Sequence, residues 1–355
     1  MITPYIPNSI TAAVLEKKNK PIVLKKLRMP SLKKGQVLVK ISYTGICRSQ
    51  LMEVEGKRGD DRFLPHLLGH EATGVVIKTG KYVSKIKKGD KVVLGWIKGN
   101  GINTNGIVFK DFKNKKINSG PITTFSDYTI VSENRVVKLK NKIPMDIGVL
   151  LGCAFPTGMG MIFNLRKKNI KIKNLLIIGL GGVGFSALMA AIQNNIKKII
   201  VIDKSNYKLR IAKKFNKKIF TFNSNSKKIR KKILKITNGQ GAQICIECAG
   251  RVSTIELGFD LINDKEGRLI FASHPENGKK IQIDPHKLIS GKKIEGTWGG
   301  SYNPDKDIKK IVPFIINNKS NIRKYIIGKK YNLKSINKAF SDLKNSKVIR
   351  PLIKI

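Results

Sequence analysis

The sequence predicts an α/β protein of two domains, one rich in β-structure and one built on a doubly wound parallel sheet. Three observations carry that prediction. Residues 12 to 43 alternate short apolar runs with turn residues, and Val37, Val39 and Ile41 share one face at the two-residue period of a half-buried strand. From Asn174 onward, apolar runs alternate with helix-length amphipathic stretches, the order that lays parallel strands beside crossover helices. At 355 residues the chain is long enough for two cores.

In chain order, Ala12–Leu15, Ile22–Leu24 and Gln36–Tyr43 read as strands. Glu71–Gly80 and Lys88–Leu94 continue the pattern, with glycines marking bends of a curved sheet. The polar stretch Asn103–Asn118 is the longest segment resembling a linker, and no internal repeat is present. Parallel strands are expected at Leu175–Ile178, Ile199–Asp203, Ile219–Phe222, Gln243–Glu247 and Arg268–Ala272. After Trp298 the rhythm becomes irregular, with a helix near Asp305–Asn317 and a last strand at Pro351–Ile355, so the tail is expected to return to the first domain. The expected domains are residues 1–154 with 298–355, and residues 155–297.

Composition excludes more than it identifies. Four cysteines (Cys47, Cys153, Cys245, Cys248) are too few for a disulfide scaffold in so long a chain. Residues 1–19 lack a basic segment followed by a continuous apolar run, so no secretory leader is expected and a cytoplasmic, reducing setting is. Leu175–Ile192 runs eighteen residues without a charge, but glycines at 179, 181, 182 and 184 would interrupt a membrane span and suit a strand turning into a helix. The formal charge of +47 comes from 70 Lys and Arg against 23 Asp and Glu, scattered in separate groups with no basic tail or aromatic-interleaved stripe. Charge alone offers a nucleic-acid-binding reading, and the sequence supplies no recognition motif for it, so no specific nucleic-acid partner and no membrane partner are expected.

Two constellations carry chemistry. Gly179-Leu180-Gly181-Gly182-Val183-Gly184 follows the apolar run Leu175–Ile178, and a second apolar run ends in Asp203, 19 residues beyond Gly184. Such a turn brings backbone amides and a helix N-terminus to a pyrophosphate, and the acid stands where the ribose hydroxyls of a dinucleotide are read. An acid there repels a 2′-phosphate and favours NAD, although Lys204 beside it leaves some tolerance for NADP. The second constellation is Cys47, His70 and Cys153, two thiolates and an imidazole, the set a catalytic zinc uses when one coordination position stays open. Taken singly, Cys47 and Cys153 read first as buried small hydrophobes and His70 as a satisfied core histidine.

Context joins them. Gly45-Ile46-Cys47-Arg48-Ser49 and Gly69-His70-Glu71-Ala72-Thr73-Gly74 resemble the two zinc segments of the medium-chain zinc-dependent alcohol dehydrogenases, and the resemblance extends over nearly the whole chain, through Thr124–Tyr128, Gly152-Cys153-Ala154 and Ile349-Arg350. It implies a GroES-like β-rich catalytic domain, a Rossmann cofactor domain, one zinc bound by Cys47, His70 and Cys153, NAD as hydride acceptor and an alcohol or carbonyl substrate in the cleft between domains. It further implies that zinc binds the alkoxide oxygen, that Ser49 takes the alcohol proton and that Glu71 lies behind the metal as a transient ligand. Arg48, Thr157 and Arg350 would join Gly179, Gly181, Gly182, Val183, Gly184 and Asp203 at the cofactor, with Lys208 near the adenosine ribose. Trp96 and Trp298 would line the pocket, and the assembly would be a homodimer or homotetramer. Structural readings stay open beside several of these: Ser49 as a helix N-cap, Glu71 as an outer-shell carboxylate, Lys208 as a solvated lysine, the tryptophans as core aromatics.

Three departures from the family matter. Lys98–Gly120 contains no cysteine where a structural-zinc lobe is usual, so one zinc per chain is expected. Met52 stands where a relay histidine is common and cannot carry a proton, which leaves water or His66 as the way out. Gln50 replaces an acidic neighbour of the zinc. The polar residues Lys98, Asn100 and Asn103 point to a polyol, cyclitol or sugar derivative as substrate, against simple alcohols as the alternative. A zinc-free, quinone-reductase-like member of the superfamily is the other competing class, and the complete ligand set speaks against it. Cys245 and Cys248 are read as packing, because residues three apart on a strand face opposite ways.

Overall fold

The computed structural model describes residues 6–355. The chain divides into two compact units, Met1–Cys153 with Asn303–Ile355, and Ala154–Tyr302.

The first unit holds a closed barrel and a larger sheet. The barrel order is Ser9–Leu15, Val23–Arg28, Val108–Asp111, Lys116–Asn118 and His66–Leu67, around a core that includes Ile10, Ala12, Val14, Leu27, Phe109 and Ile117. Two of these strands lie inside the stretch read from sequence as polar and linker-like. Phe109 and Ile117 explain the difference: each is almost wholly buried, and a single inward residue per short strand is enough to anchor it while lysines and asparagines face water.

The larger sheet runs Val136–Lys138, Lys91–Gly95, Glu71–Thr79, Gln36–Gly45, Leu352–Lys354, Lys330–Asn332, with Tyr128–Ser132 also pairing with Gln36–Gly45. Gln36–Gly45 pairs antiparallel with Glu71–Thr79 through two register shifts, which sharpen the local twist. The C-terminal strand lies antiparallel to Gln36–Gly45 with Leu352 opposite Gly45, and the Ile46 N–H donates to Pro351 O at 3.0 Å. That pairing brings Arg350 to the segment that carries Cys47.

The second unit is a six-stranded parallel sheet in the order Phe220–Asn223, Lys198–Asp203, Asn174–Ile178, Ile244–Glu247, Arg268–Phe271, Lys293–Gly296. In chain order this is 3-2-1-4-5-6, so the direction of winding reverses beside the first strand and leaves a crevice at the carboxyl ends. The central strands carry continuous apolar runs between their polar ends, as strands covered on both faces do, and Leu175–Ile178 and Ile199–Ile202 are buried throughout. The uncharged run that raised the membrane question divides into Asn174–Ile178, a glycine turn and the twelve-residue helix Gly182–Gln193. No single helix among the described residues is long and apolar enough to cross a membrane.

Candidate functional site

Cys47, His70 and Cys153 converge in the first unit, where their ligand atoms all lie within 4.8 Å of one another. Among the described residues this is the one group of three or more such side chains placed to hold a metal. A tetrahedral zinc with bonds of about 2.3 Å to sulfur and 2.0–2.1 Å to nitrogen sets its ligand atoms roughly 3.5–3.8 Å apart, so the cluster has the right size. His70 Nε2 is buried and has no protein partner, as a nitrogen reserved for a metal would be. Between the sulfurs, a hydrogen bond from Cys153 holds the Cys47 thiol well below its ordinary range despite burial, with Arg350 and His70 adding to the pull. Cys153 is pushed well up by the same contact and by burial.

Behind the cluster, Glu71 and Arg350 form a buried ion pair, with Arg350 Nε donating to Glu71 Oε1 at 2.7 Å. Their side chains are 0% and 4% exposed. Glu71 Oε2 and Arg350 Nη2 are buried with no protein partner. Burial alone would lower the Arg350 pKa, but Cys47, Glu71 and Cys153 raise it well above the usual arginine range. The motif glycine Gly45 is needed here, since a Cβ at that position would overlap the Glu71 carboxylate.

The helix Arg48–Val54 starts at this cluster. Its N-cap is Cys47, not Ser49, which lies inside the first turn. Gln50, buried, accepts the Cys47 N–H through Oε1 at 2.8 Å, so the residue that departs from the family pattern fixes the backbone of a metal-site cysteine. Met52 is buried. His66 is held at both ring nitrogens, Nδ1 to Leu67 O and Nε2 to Asp61 Oδ2, each at 2.8 Å. Sequence reasoning missed Glu53, a partly buried carboxylate one turn beyond Ser49 that accepts Arg58 Nη1 at 2.8 Å.

In the second unit, the glycine turn enters the helix Gly182–Gln193 with Gly181 as N-cap, and Gly182, Val183 and Gly184 occupy the first turn, where backbone N–H groups have no intrahelical partner. A Cβ at Gly184 would overlap Gly179 O, which is why the helix seats so closely on the strand end. Asp203, buried at the end of Lys198–Asp203, accepts the Leu180 N–H through Oδ2 at 2.6 Å and the Ser205 N–H through Oδ1 at 2.7 Å. The acid thus braces the glycine turn. Thr157 is buried in the helix Ala154–Lys167, and Lys208 is half-buried on Asn206–Phe215.

Arg48 is exposed at the start of its helix. Trp96 packs on the core of the larger sheet, and its carbonyl accepts Arg135 Nη1. Trp298 is 68% exposed, edge-on to His274. Cys245 and Cys248 are buried, and burial followed by Glu247 pushes both thiols up. The polar segment 98–104 is pinned by its backbone: Asp305 takes Asn100 N, Glu133 takes Ile102 N, and Ser132 takes Thr104 N at 2.6, 2.9 and 3.0 Å. Asn103 Oδ1 accepts Asn134 Nδ2 at 3.1 Å.

Two family models match the chain, the alcohol dehydrogenase GroES-like domain over residues 33–141 and the zinc-binding dehydrogenase over residues 182–317. The chain is 27% identical to alcohol dehydrogenase 1 of Pisum sativum, covering 97% of this chain and 96% of that one. It is 29% identical to alcohol dehydrogenase 1 of Solanum tuberosum over 96% of each. Among solved structures it is similar to the benzyl alcohol dehydrogenase of Acinetobacter calcoaceticus, with a TM-score of 0.85 at 27% identity over 98% of this chain and 99% of that one. The alcohol dehydrogenase zinc-binding domain protein of Burkholderia ambifaria shares the fold with a TM-score of 0.87 at 24% identity over 98% and 99%.

Proposed function

The chain belongs to the medium-chain zinc-dependent alcohol dehydrogenase family, and from that premise we propose that Cys47, His70 and Cys153 hold one zinc ion per chain while hydride passes between an alcohol and NAD. The observation that carries this reading is the convergence of the three ligand atoms within 4.8 Å, with His70 Nε2 left unpartnered. When bound, zinc supplies a positive charge that brings an alcohol hydroxyl's pKa toward neutrality.

The chain's own residues do the rest. Ser49, in the first turn beside Cys47, accepts the alcohol proton. Arg350 holds Glu71 in place through Nε, leaving Glu71 Oε2 free to approach the metal and Arg350 Nη2 free to meet a pyrophosphate oxygen. The amides of Gly182, Val183 and Gly184 receive the pyrophosphate together with Arg48. Each Asp203 oxygen uses one lone pair on a backbone N–H, and those that remain can take the ribose hydroxyls, with Lys208 alongside. A reducing, cytoplasmic setting suits four cysteines that form no disulfide.

For the substrate, a polyol, cyclitol or sugar derivative would rest on the exposed side chains of Lys98 and Asn100, because Asn103 is engaged by Asn134. Catalytic efficiencies for ethanol, longer alkanols, sorbitol, inositol and sugar nucleotides in one assay decide this. A clear preference for unsubstituted primary alcohols removes the polar-substrate reading and leaves the dehydrogenase assignment standing. The assignment itself is tested by Cys47→Ser: loss of zinc and of NAD-linked turnover together in a folded protein supports it, and retained turnover without zinc contradicts it.

A further inference from the structure

A proton taken by Ser49 has to reach solvent, and the position where the family commonly carries a histidine is closed. Met52 is 5% exposed and has no basic atom. His66 already meets Leu67 O through Nδ1 and Asp61 Oδ2 through Nε2, so both of its nitrogens are engaged within the protein. The helix Arg48–Val54 offers another group. Residues four apart on a helix lie on one face, one above the other, and the residue four beyond Ser49 is Glu53. Gln50, Leu51 and Met52 form the buried part of this helix, whereas Ser49 and Glu53 are both partly exposed, along the border where buried structure meets water. The Glu53 side chain retains 28% exposure, and its Oε1 is anchored by Arg58 Nη1 at 2.8 Å.

We propose that Glu53 receives the proton relayed from the alcohol through Ser49 and passes it to solvent, replacing the relay that Met52 cannot provide. The inference rests on the assignment of Ser49 as the first proton acceptor. During oxidation, Ser49 Oγ takes the alcohol proton as its own hydroxyl proton moves through one water to the Glu53 carboxylate. The alcohol carbon gives hydride to NAD, and Glu53 then releases its proton to bulk water. The sum is alcohol plus oxidised NAD giving carbonyl, NADH and one proton.

The electrostatic setting agrees. Burial raises the Glu53 carboxyl above the ordinary glutamate range against the pull of Arg58, His70 and His66, and the Cys47 sulfur adds to the rise. Asp61 is engaged with His66 through Oδ2 at 2.8 Å. Glu53 therefore holds a transferred proton longer than a surface carboxylate would, which a relay near neutral pH requires.

The test uses zinc-loaded holoenzyme with Glu53→Gln, Glu53→Asp and Ser49→Ala. Glu53→Gln is expected to lower kcat for alcohol oxidation about 10-fold near pH 7, with KM for the alcohol within about 2-fold and zinc retained, since positioned acid–base groups contribute 10²–10⁴-fold and a relay one step removed contributes less. Added imidazole, a small base, should restore at least about 3-fold of the loss in Glu53→Gln and have no such effect on wild type. Glu53→Asp should keep most turnover. Independently of turnover, the infrared band of a protonated carboxyl that titrates above the ordinary glutamate range should vanish in Glu53→Gln. An unchanged pH profile and an unchanged infrared titration in Glu53→Gln would overturn the proposal, as would parallel loss of zinc and activity in both Glu53 variants. If Ser49→Ala keeps full turnover, the Ser49 assignment and this inference fall together. If Ser49→Ala is inactive while Glu53→Gln behaves as wild type, the inference about Glu53 alone falls.

Discussion

Replacing Arg350 with Leu strands the Glu71 carboxylate. In the native site the two groups meet at 2.7 Å with 0% and 4% of their side chains exposed, and two sulfurs lie close enough to influence the same guanidinium. At an effective dielectric near 20, unit charges about 4 Å apart attract by about 4 kcal/mol, and removing one partner of a buried pair typically costs about 3–5 kcal/mol. Arg350→Leu is therefore expected to destabilise the protein by about 3–5 kcal/mol, and Glu71→Gln by a similar amount because the cation is then left unpaired. The double variant Arg350→Leu/Glu71→Gln leaves neither charge behind and should recover about half of the summed loss or more. Urea unfolding of all four proteins, followed by a signal from the first unit, measures the cycle. Single variants within about 1 kcal/mol of wild type, or losses that simply add, would refute the argument that this pair holds the floor of the metal site.

Asp203→Ala should narrow the preference for NAD over NADP and also loosen the glycine turn, because Oδ2 holds the Leu180 N–H; steady-state efficiencies with both cofactors check the first effect and amide exchange at Leu180 the second. Glu133→Ala removes a carboxylate that accepts the backbone N–H groups of Ser84, Lys85 and Ile102, and is expected to raise amide exchange and protease cleavage across residues 98–104 while zinc content stays unchanged. Burial would raise the Asp146 carboxyl, but Arg323 and Lys330 together hold it below its ordinary value of 3.8. Its contribution is thus complete above about pH 4 and is lost as pH falls through the depressed native value, so Asp146→Asn should cost about 1.5–3 kcal/mol at neutral pH and flatten the acid limb of the stability curve measured by urea titration.

The parallel sheet was legible because its central strands are apolar on both faces and end in a glycine turn with a fixed distance to an acid. The sixth strand, Lys293–Gly296, escaped because Lys, Glu and Gly leave Ile294 as its single apolar side chain, and nothing local distinguishes such a strand from a loop. The barrel strands at Val108–Asp111 and Lys116–Asn118 escaped for a related reason: Phe109 and Ile117 carry the burial, and composition averages them away among lysines and asparagines. Cys47, His70 and Cys153 were found through the residues around them, since nothing about 23- and 83-residue separations brings them together by itself. Glu71 and Arg350 were each legible from the same resemblance, but the contact between them was not. Arg350 finds Glu71 across 279 residues through strand pairing, and Glu133 and Asp305 pin residues 98–104 by backbone hydrogen bonds that leave no periodic signature. Glu53 was hidden differently, because its meaning depends on Met52 being buried and His66 being engaged, and both are facts of packing.

The measurement that bears most directly on the assignment is zinc content per chain by elemental analysis, made on the same samples used for NAD-linked alcohol oxidation, for wild type and for Cys47→Ser, His70→Ala and Cys153→Ser. The ligand set predicts about one zinc per chain in wild type and, in each variant, loss of metal and turnover together from a protein that remains folded. Two tightly held zinc ions per chain, or variants that keep metal and activity, would contradict it.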